Sequence, residues 1–320
     1  MKILITGGAG FIGSHLTENL LNLGHHVLVI DNFSTARRDN LKPNPNLILI
    51  EDTICNKIIV DEIFAKFKPE VVVHAAASYK DPYDWLEDVN TNVIGTINVV
   101  KAAIQLKVRR FIYFQTSLCY GLKPLEKIIT LNHPYFSGGY SGGSSYAISK
   151  TAGELYIELS GLDFISFRLA NIYGPRNISG PLPVFYKRLI NGESCIIVDS
   201  RRDFIYIDDL IELVLKAING QGTKGYYHVS SGKDYSIKEL YEAVVDALGL
   251  PDKLKKDVEV KTRSENDAPS ILLDPVKTEN DFNWKVKTTL VEGVKKTVEY
   301  YKLYGVNETF THLTLNKKND

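Results

Sequence analysis

The sequence predicts an α/β protein, a doubly wound, mainly parallel sheet with a smaller mixed α/β lobe formed chiefly by the C-terminal part. Three observations carry this. Short β-rich runs recur through the first half and are apolar throughout rather than alternating, as in strands buried on both faces. Helical patterns lie between them, which argues for βαβ units with right-handed crossovers. After Gly174-Pro175 that rhythm changes.

In chain order, the expected strands are Ile3–Thr6, Val27–Ile30, Leu47–Ile50, Val71–His74, Phe111–Phe114 and Phe164–Leu169, with helices over Ile12–Leu23, Val89–Leu106 and Tyr146–Ser160. Beyond Gly174, Gly180-Pro181-Leu182-Pro183 reads as a turn or loop before a helix from Val184 to Asn191. Cys195–Asp199 and Tyr226–Ser230 read as strands, and Asp208 as the cap of a helix running through Leu215. Ser236-Ile237-Lys238-Glu239 has the capping-box pattern and opens a helix to about Leu248. The polar end, Leu315–Asp320, is expected to fray.

The chain has 320 residues, 44% hydrophobic and 24% charged, enough for a large core and a second lobe. Lys+Arg and Asp+Glu are equal at 38 each, so no electrostatic case exists for nucleic acid or an anionic membrane as partner. Cys55, Cys119 and Cys195 are widely spaced and read as reduced, mostly buried thiols, with no metal site. The start runs straight into a strand and no apolar run spans a bilayer, so a cytoplasmic location is expected. Asn177-Ile178-Ser179 and Asn307-Glu308-Thr309 then read as chance matches to the glycosylation pattern.

Gly7, Gly10 and Gly13 lie between the first strand and the first helix, spaced GxxGxxG. Glycines there let the backbone approach a pyrophosphate, which sits on the helix N-terminus of a Rossmann-type fold. Asp31 ends the next strand at the offset where an acid meets an adenosine ribose. Its charge would repel a 2′-phosphate and so favours NAD over NADP, although Arg37 and Arg38 lie close by. The expected division is an NAD-binding unit over 1–171 with a returning segment near 203–232, and a substrate lobe from 172–202 and 233–320.

Tyr146 and Lys150 stand four residues apart, so on a helix they share one face. A neighbouring lysine favours the phenolate and is expected to lower the phenol's pKa, giving a base for an alcohol proton as hydride leaves its carbon. The pair follows the glycine-rich run 138–143 and a strand ending Gln115-Thr116-Ser117.

Several segments agree in order and spacing with one family: TGGAGFIG from Thr6, Ile30-Asp31-Asn32, His74-Ala75-Ala76-Ala77, Asn92-Val93-Ile94-Gly95-Thr96, the Tyr146/Lys150 pair, RLANIYGPR from Arg168 and RDFIYIDD from Arg202. From Lys2 to about Tyr301 the chain resembles the extended short-chain dehydrogenase/reductases, in their nucleotide-sugar epimerase/dehydratase branch. The resemblance implies that Gly7, Gly10, Phe11 and Ile12 line the NAD pyrophosphate. It places Asp31, Asn32 and Ser34 at the ribose, Asp52 and Thr53 at the adenine, Ala75, Ala76 and Ala77 along the cofactor, and Asn92 near the nicotinamide. Tyr146 would be the base, Lys150 its partner and ribose anchor, and Thr116 the hydroxyl on the reacting sugar oxygen, with Ser117 its competitor. Asn171 would contact the sugar nucleotide. Arg202 and Arg263 would hold its diphosphate, a task that suits a planar guanidinium. Arg201 competes with Arg202 by a one-residue shift, and the spacing from Arg263 to Asp267 is one residue longer than the common pattern.

The 4,6-dehydratases of this branch carry Thr-Asp-Glu where this chain has Thr116-Ser117-Leu118, and Leu118 cannot transfer a proton. The expected reaction is therefore 4-epimerisation of a UDP-hexose or UDP-N-acetylhexosamine. Ile271, with Ser270 before it, stands where some relatives use a tyrosine to exclude N-acetyl groups. The small run 138–143 would also enlarge the site. The alternatives are a reductase or decarboxylase of the same family and a non-catalytic NAD sensor. The resemblance also implies a homodimer through Val89–Leu106 and Tyr146–Ser160, and the reaction suits polysaccharide synthesis.

Overall fold

The computed structural model describes residues 1–136, 144–263, 268–306 and Thr309. In the first half β1 (Lys2–Thr6), α1 (Phe11–Asn22), β2 (His26–Asp31), β3 (Leu47–Glu51), α2 (Lys57–Phe67) and β4 (Val71–His74) alternate. They are followed by α3 (Trp85–Val89), α4 (Thr96–Gln105), β5 (Arg110–Thr116), α5 (Ser145–Leu159) and β6 (Phe164–Leu169). The second half adds β7 (Asn171–Tyr173), α6 (Pro181–Ile190), β8 (Ile196–Val198), β9 (Arg201–Arg202), β10 (Phe204–Tyr206), α7 (Ile207–Ile218) and β11 (Gly225–Val229). It ends with β12 (Tyr235–Ser236), α8 (Ile237–Leu248), α9 (Lys253–Asp257), β13 (Glu259–Lys261), α10 (Val276–Phe282) and α11 (Leu290–Tyr304).

Seven parallel strands form the central sheet in the order β11-β6-β5-β4-β1-β2-β3. Strand order reverses between β1 and β4, the switch point where doubly wound sheets open a crevice at their carboxyl ends. Successive side chains of a strand point to opposite faces. Ile3, Ile5, Val27, Val29, Val71 and Val73 accordingly enter one core, while Leu4, Leu28, Ile30 and Val72 enter the other. The first core is continuous with the second half through Ile205, Leu240 and Val294. A third cluster, of Cys119, Tyr120, Ile129, Ala268, Ile271 and Leu273, packs beside the end of β5.

Three elements differ from the sequence expectation. The helix expected over Val89–Leu106 begins earlier and is not uniformly α: α3 runs into a π-turn, Asn90–Gly95, which continues into α4. The Thr96 hydroxyl donates to Asn92 O at 2.7 Å within that turn. Such turns insert a residue into the helix, often at functional positions. Pro181 and Pro183 belong to α6 rather than to a loop, because a proline in the first helical turn loses no hydrogen bond. Tyr206, not Asp208, precedes the first turn of α7, which carries both Asp208 and Asp209. The Ser236/Glu239 capping box is formed as expected, and α8 ends on the left-handed Gly249.

Candidate active site

The turn between β1 and α1 is shaped by contacts that only glycine permits. Gly7 has φ +66°, and a Cβ there would lie 2.7 Å from Ala76 Cα and N. A Cβ on Gly13 would lie 2.1 Å from Gly7 O. Gly10 precedes α1 and no side chain caps the helix. Its first N–H groups therefore face outward over half-buried Phe11 and Ile12, which suits an anion such as a pyrophosphate.

Asp31 joins this turn to the next. Its carboxylate accepts from Ala9 N and from Phe33 N, each at 2.9 Å. Burial pushes the carboxyl up, and the N–H groups of Phe33, Ala9 and Gly10 hold it down. Asn32 Oδ1 accepts from Ser34 N at 3.2 Å, and both residues are exposed. The neighbouring arginines are held by carboxylates: Arg37 pairs with Asp39, and Arg38 binds Glu51 through both nitrogens. Beyond β3, Asp52 Oδ1 accepts from Thr53 N at 2.7 Å. These residues fit a dinucleotide, because the cradle over Ala75 and Ala76 is one that a Cβ on Gly7 would fill.

Ala75, Ala76 and Ala77 follow β4 directly and are half-buried. A buried chain beneath them was not visible in the sequence. Thr96 Oγ1 gives its proton to Asn92 O, so at 2.8 Å it must accept from His74 Nε2. His74 Nδ1 is then the acceptor for the Thr6 hydroxyl, which in turn accepts from Ala76 N. The ring is neutral, in keeping with burial and the nearby Lys150, which push it down to about 3. Asn92 is saturated by protein groups: Nδ2 donates to Ser78 O and Ser149 Oγ, and Oδ1 accepts from Ser78 N. It clamps the loop after β4 to α5.

Thr116 ends β5 and starts a short 3-10 turn over Ser117–Tyr120. Its Oγ1 accepts from Leu118 N at 3.2 Å, which leaves the hydroxyl proton free for another partner. Thr116 is half-exposed, whereas its competitor Ser117 is buried. Ser144 caps α5 by accepting from Ala147 N at 3.1 Å, placing Tyr146 in the first turn and Lys150 one turn on. The two elements are registered by Gln115: its Oε1 accepts from Thr116 N at 2.8 Å and its Nε2 donates to Lys150 O at 3.2 Å. Tyr113 OH donates to the same carbonyl at 2.9 Å. Behind α5, buried Glu154 pairs with Arg168 of β6 at 3.0 Å. Arg168 also reaches the hydroxyls of Tyr120 and Tyr135.

The net direction at Tyr146 is upward, against the lowering expected from the lysine alone. Burial raises the Tyr146 phenol well above its ordinary value, and Tyr79 and Asp88 push the same way. Burial also drives Lys150 down to about 7, only partly offset by Glu154, and its Nζ lies over the Tyr113 ring at 3.9 Å.

Asn171 opens β7 and is exposed, and its N–H donates to Asp203 O at 2.9 Å. Half-buried Arg202 therefore lies beside it, donating to Arg201 O and to Ala268 O at 2.9 Å. Ala268 belongs to the cluster containing Cys119 and Tyr120, which links Arg202 to the end of β5. Arg201 instead pairs with Asp234 at 3.0 Å. Arg263 follows β13, half-buried, just before 264–267, and the glycine run 138–143 lies outside the described residues. Ile271 is core of that same cluster and 4% exposed.

A doubly wound sheet, a glycine-only phosphate turn, an acid after β2 and a Tyr–Lys helix beside a Thr strand end define a dinucleotide-dependent enzyme of the short-chain dehydrogenase type. The model of the NAD dependent epimerase/dehydratase family matches residues 3–230. A UDP-glucose 4-epimerase of Mycolicibacterium smegmatis is 31% identical, covering 94% of this chain and 99% of the relative. Among solved structures, Bordetella bronchiseptica WbmH in complex with NAD+ is 50% identical with a TM-score of 0.90, covering 95% of this chain and 99% of that one. WbmG of the same organism, in complex with NAD and UDP, is 43% identical with a TM-score of 0.87, covering 98% and 97%. The chain belongs to the NAD dependent epimerase/dehydratase family and is an NAD-dependent enzyme. Among the described residues, no helix is long and apolar enough to cross a membrane.

Proposed function

We propose that this enzyme is a UDP-sugar 4-epimerase acting on a UDP-hexose or UDP-N-acetylhexosamine. The observation that carries the reading is the pairing of an intact Thr116, Tyr146 and Lys150 set with an apolar Leu118 where water elimination would need a proton carrier. The UDP in the WbmG complex and the name of the Mycolicibacterium relative support the choice of UDP.

NAD, when bound, supplies the acceptor for the C4 hydride and its return. Gly7, Gly10, Phe11 and Ile12 would hold its pyrophosphate, Asp31, Asn32 and Ser34 its ribose, Asp52 and Thr53 its adenine, and Ala75–Ala77 its flank. Arg37 and Arg38, occupied by Asp39 and Glu51, are poor 2′-phosphate ligands. Tyr146 takes the C4 hydroxyl proton, Thr116 donates to the same oxygen, and Lys150 holds the nicotinamide ribose. Asn171, Arg202 and Arg263 would anchor the UDP while the keto sugar turns its other face. Tyr146 then returns the proton. The NAD unit comprises 1–171 with 203–232, and the remainder forms the substrate lobe. The exposed apolar residues Ile148, Leu155 and Leu159 of α5, with Trp85 and Leu86 of α3, suit burial against a second copy. A role in polysaccharide synthesis follows from such products.

Proton NMR of the purified enzyme without added cofactor, mixed with UDP-N-acetylglucosamine or with UDP-glucose, tests the reading. The corresponding galacto sugar should accumulate, and the faster substrate identifies the sugar. No epimer from either, with consumption of added NADH instead, would replace the epimerase with a reductase.

A further inference from the structure

His228 is buried and takes no part in the chemistry proposed above. It sits on β11, 1% exposed, in register with Arg168 of β6. Burial drives its ring down to about 4, only partly offset by the bond to the Asp274 carbonyl, so the ring is neutral. Nδ1 lies 3.0 Å from Asp274 O. A carbonyl only accepts, so Nδ1 carries the hydrogen and Nε2 is left as the acceptor. Nε2 lies 2.6 Å from the Tyr120 hydroxyl, which accepts from Arg168 Nη1 at 2.6 Å and gives its own hydrogen to the ring. Both ring nitrogens are thus satisfied, each by a different part of the chain.

These two parts belong to opposite ends of the site. Tyr120 closes the 3-10 turn that starts from Thr116. Asp274 ends the segment 268–274, whose first carbonyl, Ala268 O, receives Arg202. That segment is held along its length. Pro269 O accepts from Arg201 N and Leu272 O from Ile129 N, both at 2.8 Å, and Leu273 O accepts from the Ser230 hydroxyl at 2.7 Å. The apolar cluster of Cys119, Tyr120, Ala268 and Leu273 brings turn and segment together. Apolar contact is non-directional and does not fix their register. The directional bonds through His228 supply that.

We propose that His228 is a positioning residue for this reaction, tying the turn that presents Thr116 to the segment that seats Arg202 and so fixing the span between the reacting sugar oxygen and the diphosphate anchor. The proposal rests on the epimerase reading above. An epimerase meets one carbon from both faces of a sugar anchored through its diphosphate, so this span has to suit two poses. A misplacement of about 1 Å at a reacting centre costs on the order of a hundredfold in rate. His228 acts only through Tyr120 and Asp274.

The test cuts the tie in three ways. His228→Asn puts an amide nitrogen near the place of Nδ1, keeping the donor to Asp274 O and losing the acceptor for Tyr120. His228→Gln puts an amide oxygen near the place of Nε2 and does the reverse. Tyr120→Phe removes the hydroxyl from the other side. In each NAD-loaded variant, turnover at saturating UDP-sugar, followed by proton NMR as loss of starting material, should fall by about tenfold or more. UDP affinity by calorimetry and co-purified NAD should stay at the wild-type level, since the anchor and the cofactor turn are each intact. The double variant Tyr120→Phe/His228→Asn should be no slower than the slower single variant, because both remove one link. A histidine that only holds the fold would lower turnover, UDP affinity and retained NAD together, and that pattern would overturn the proposal. So would wild-type turnover in His228→Asn and His228→Gln, or effects that multiply in the double variant. Loss of starting material is scored whatever the product. A wild type that makes something other than the galacto sugar therefore fails the epimerase reading and leaves the His228 comparison intact.

Discussion

The cofactor end and the substrate end of this enzyme are built on different principles. At the proposed phosphate turn, the shape comes from the absence of side chains: Gly7 and Gly13 lie so close to neighbouring backbone that a single Cβ would intrude at 2.7 and 2.1 Å. At the substrate end, short two-stranded pairs assemble Asn171, Arg202 and Asp203 from separated segments. There the two arginines differ in what holds them, carboxylates for Arg201 and backbone carbonyls for Arg202. A backbone-defined site tolerates almost no change at a few positions, whereas a side-chain-defined site can be retuned. Binding of NAD and choice of sugar should therefore respond to different mutations.

The largest expected effect separates chemistry from both ends. Tyr146→Phe removes the proposed proton carrier without touching the glycine turn or Arg202. Turnover in the NMR assay should fall by about a thousandfold, within the range for loss of a general base. Co-purified NAD should stay at the wild-type level, since the turn, Asp31 and Lys150 remain. Turnover within a few-fold of wild type would remove Tyr146 from the chemistry.

A smaller effect probes the backbone-defined end. Gly13→Ala drives a methyl into Gly7 O, so the turn must shift; the cost is about 3 kcal/mol, in the upper range for overpacking, and NAD should be lost during purification. Gly24→Ala is the matched comparison. Gly24 has φ +77° but open space around it, so the cost should be only the left-handed strain of about 1 kcal/mol, with NAD retained. Thermal melts and the absorbance of released cofactor read both. Equal effects would mean that close packing is not what shapes the turn.

The same contrast explains what was legible in the sequence. Buried parallel strands announce themselves as unbroken apolar runs, and the glycine spacing, Asp31 and the Tyr146/Lys150 pair are local patterns set by local geometry. Gln115 was silent, because a polar residue near the end of an apolar strand shows nothing of the hydrogen bond it accepts from Thr116 N or the one it donates to Lys150 O. The His74–Thr96–Asn92 chain depends on a π-turn that no helical periodicity reveals. Ile271 stands where some relatives carry a tyrosine, and tertiary packing puts it in a buried cluster. The Tyr146–Lys150 spacing correctly put both groups on one helix, while their ionisation depended on burial, which spacing does not encode.

The smallest effects fall on the two adjacent arginines that sequence spacing could not separate. Arg201 is exposed and paired with Asp234 and Glu239 on the same surface. Exposed ion pairs contribute about 0–1 kcal/mol, so Arg201→Ala should change stability by less than that and leave KM for the UDP-sugar within about twofold. Arg202 is half-buried and tied to Ala268 O, which fixes its guanidinium beside the segment that packs on the end of β5. A charge-assisted phosphate contact is worth about 1.5–3 kcal/mol, so Arg202→Ala should raise KM by about ten- to a hundredfold and leave retained NAD unchanged. The reverse pattern, a KM effect at Arg201 and none at Arg202, would shift the diphosphate site by one residue. It would also mean that a carboxylate-paired, solvent-exposed arginine is recruited by substrate in preference to one held on backbone carbonyls.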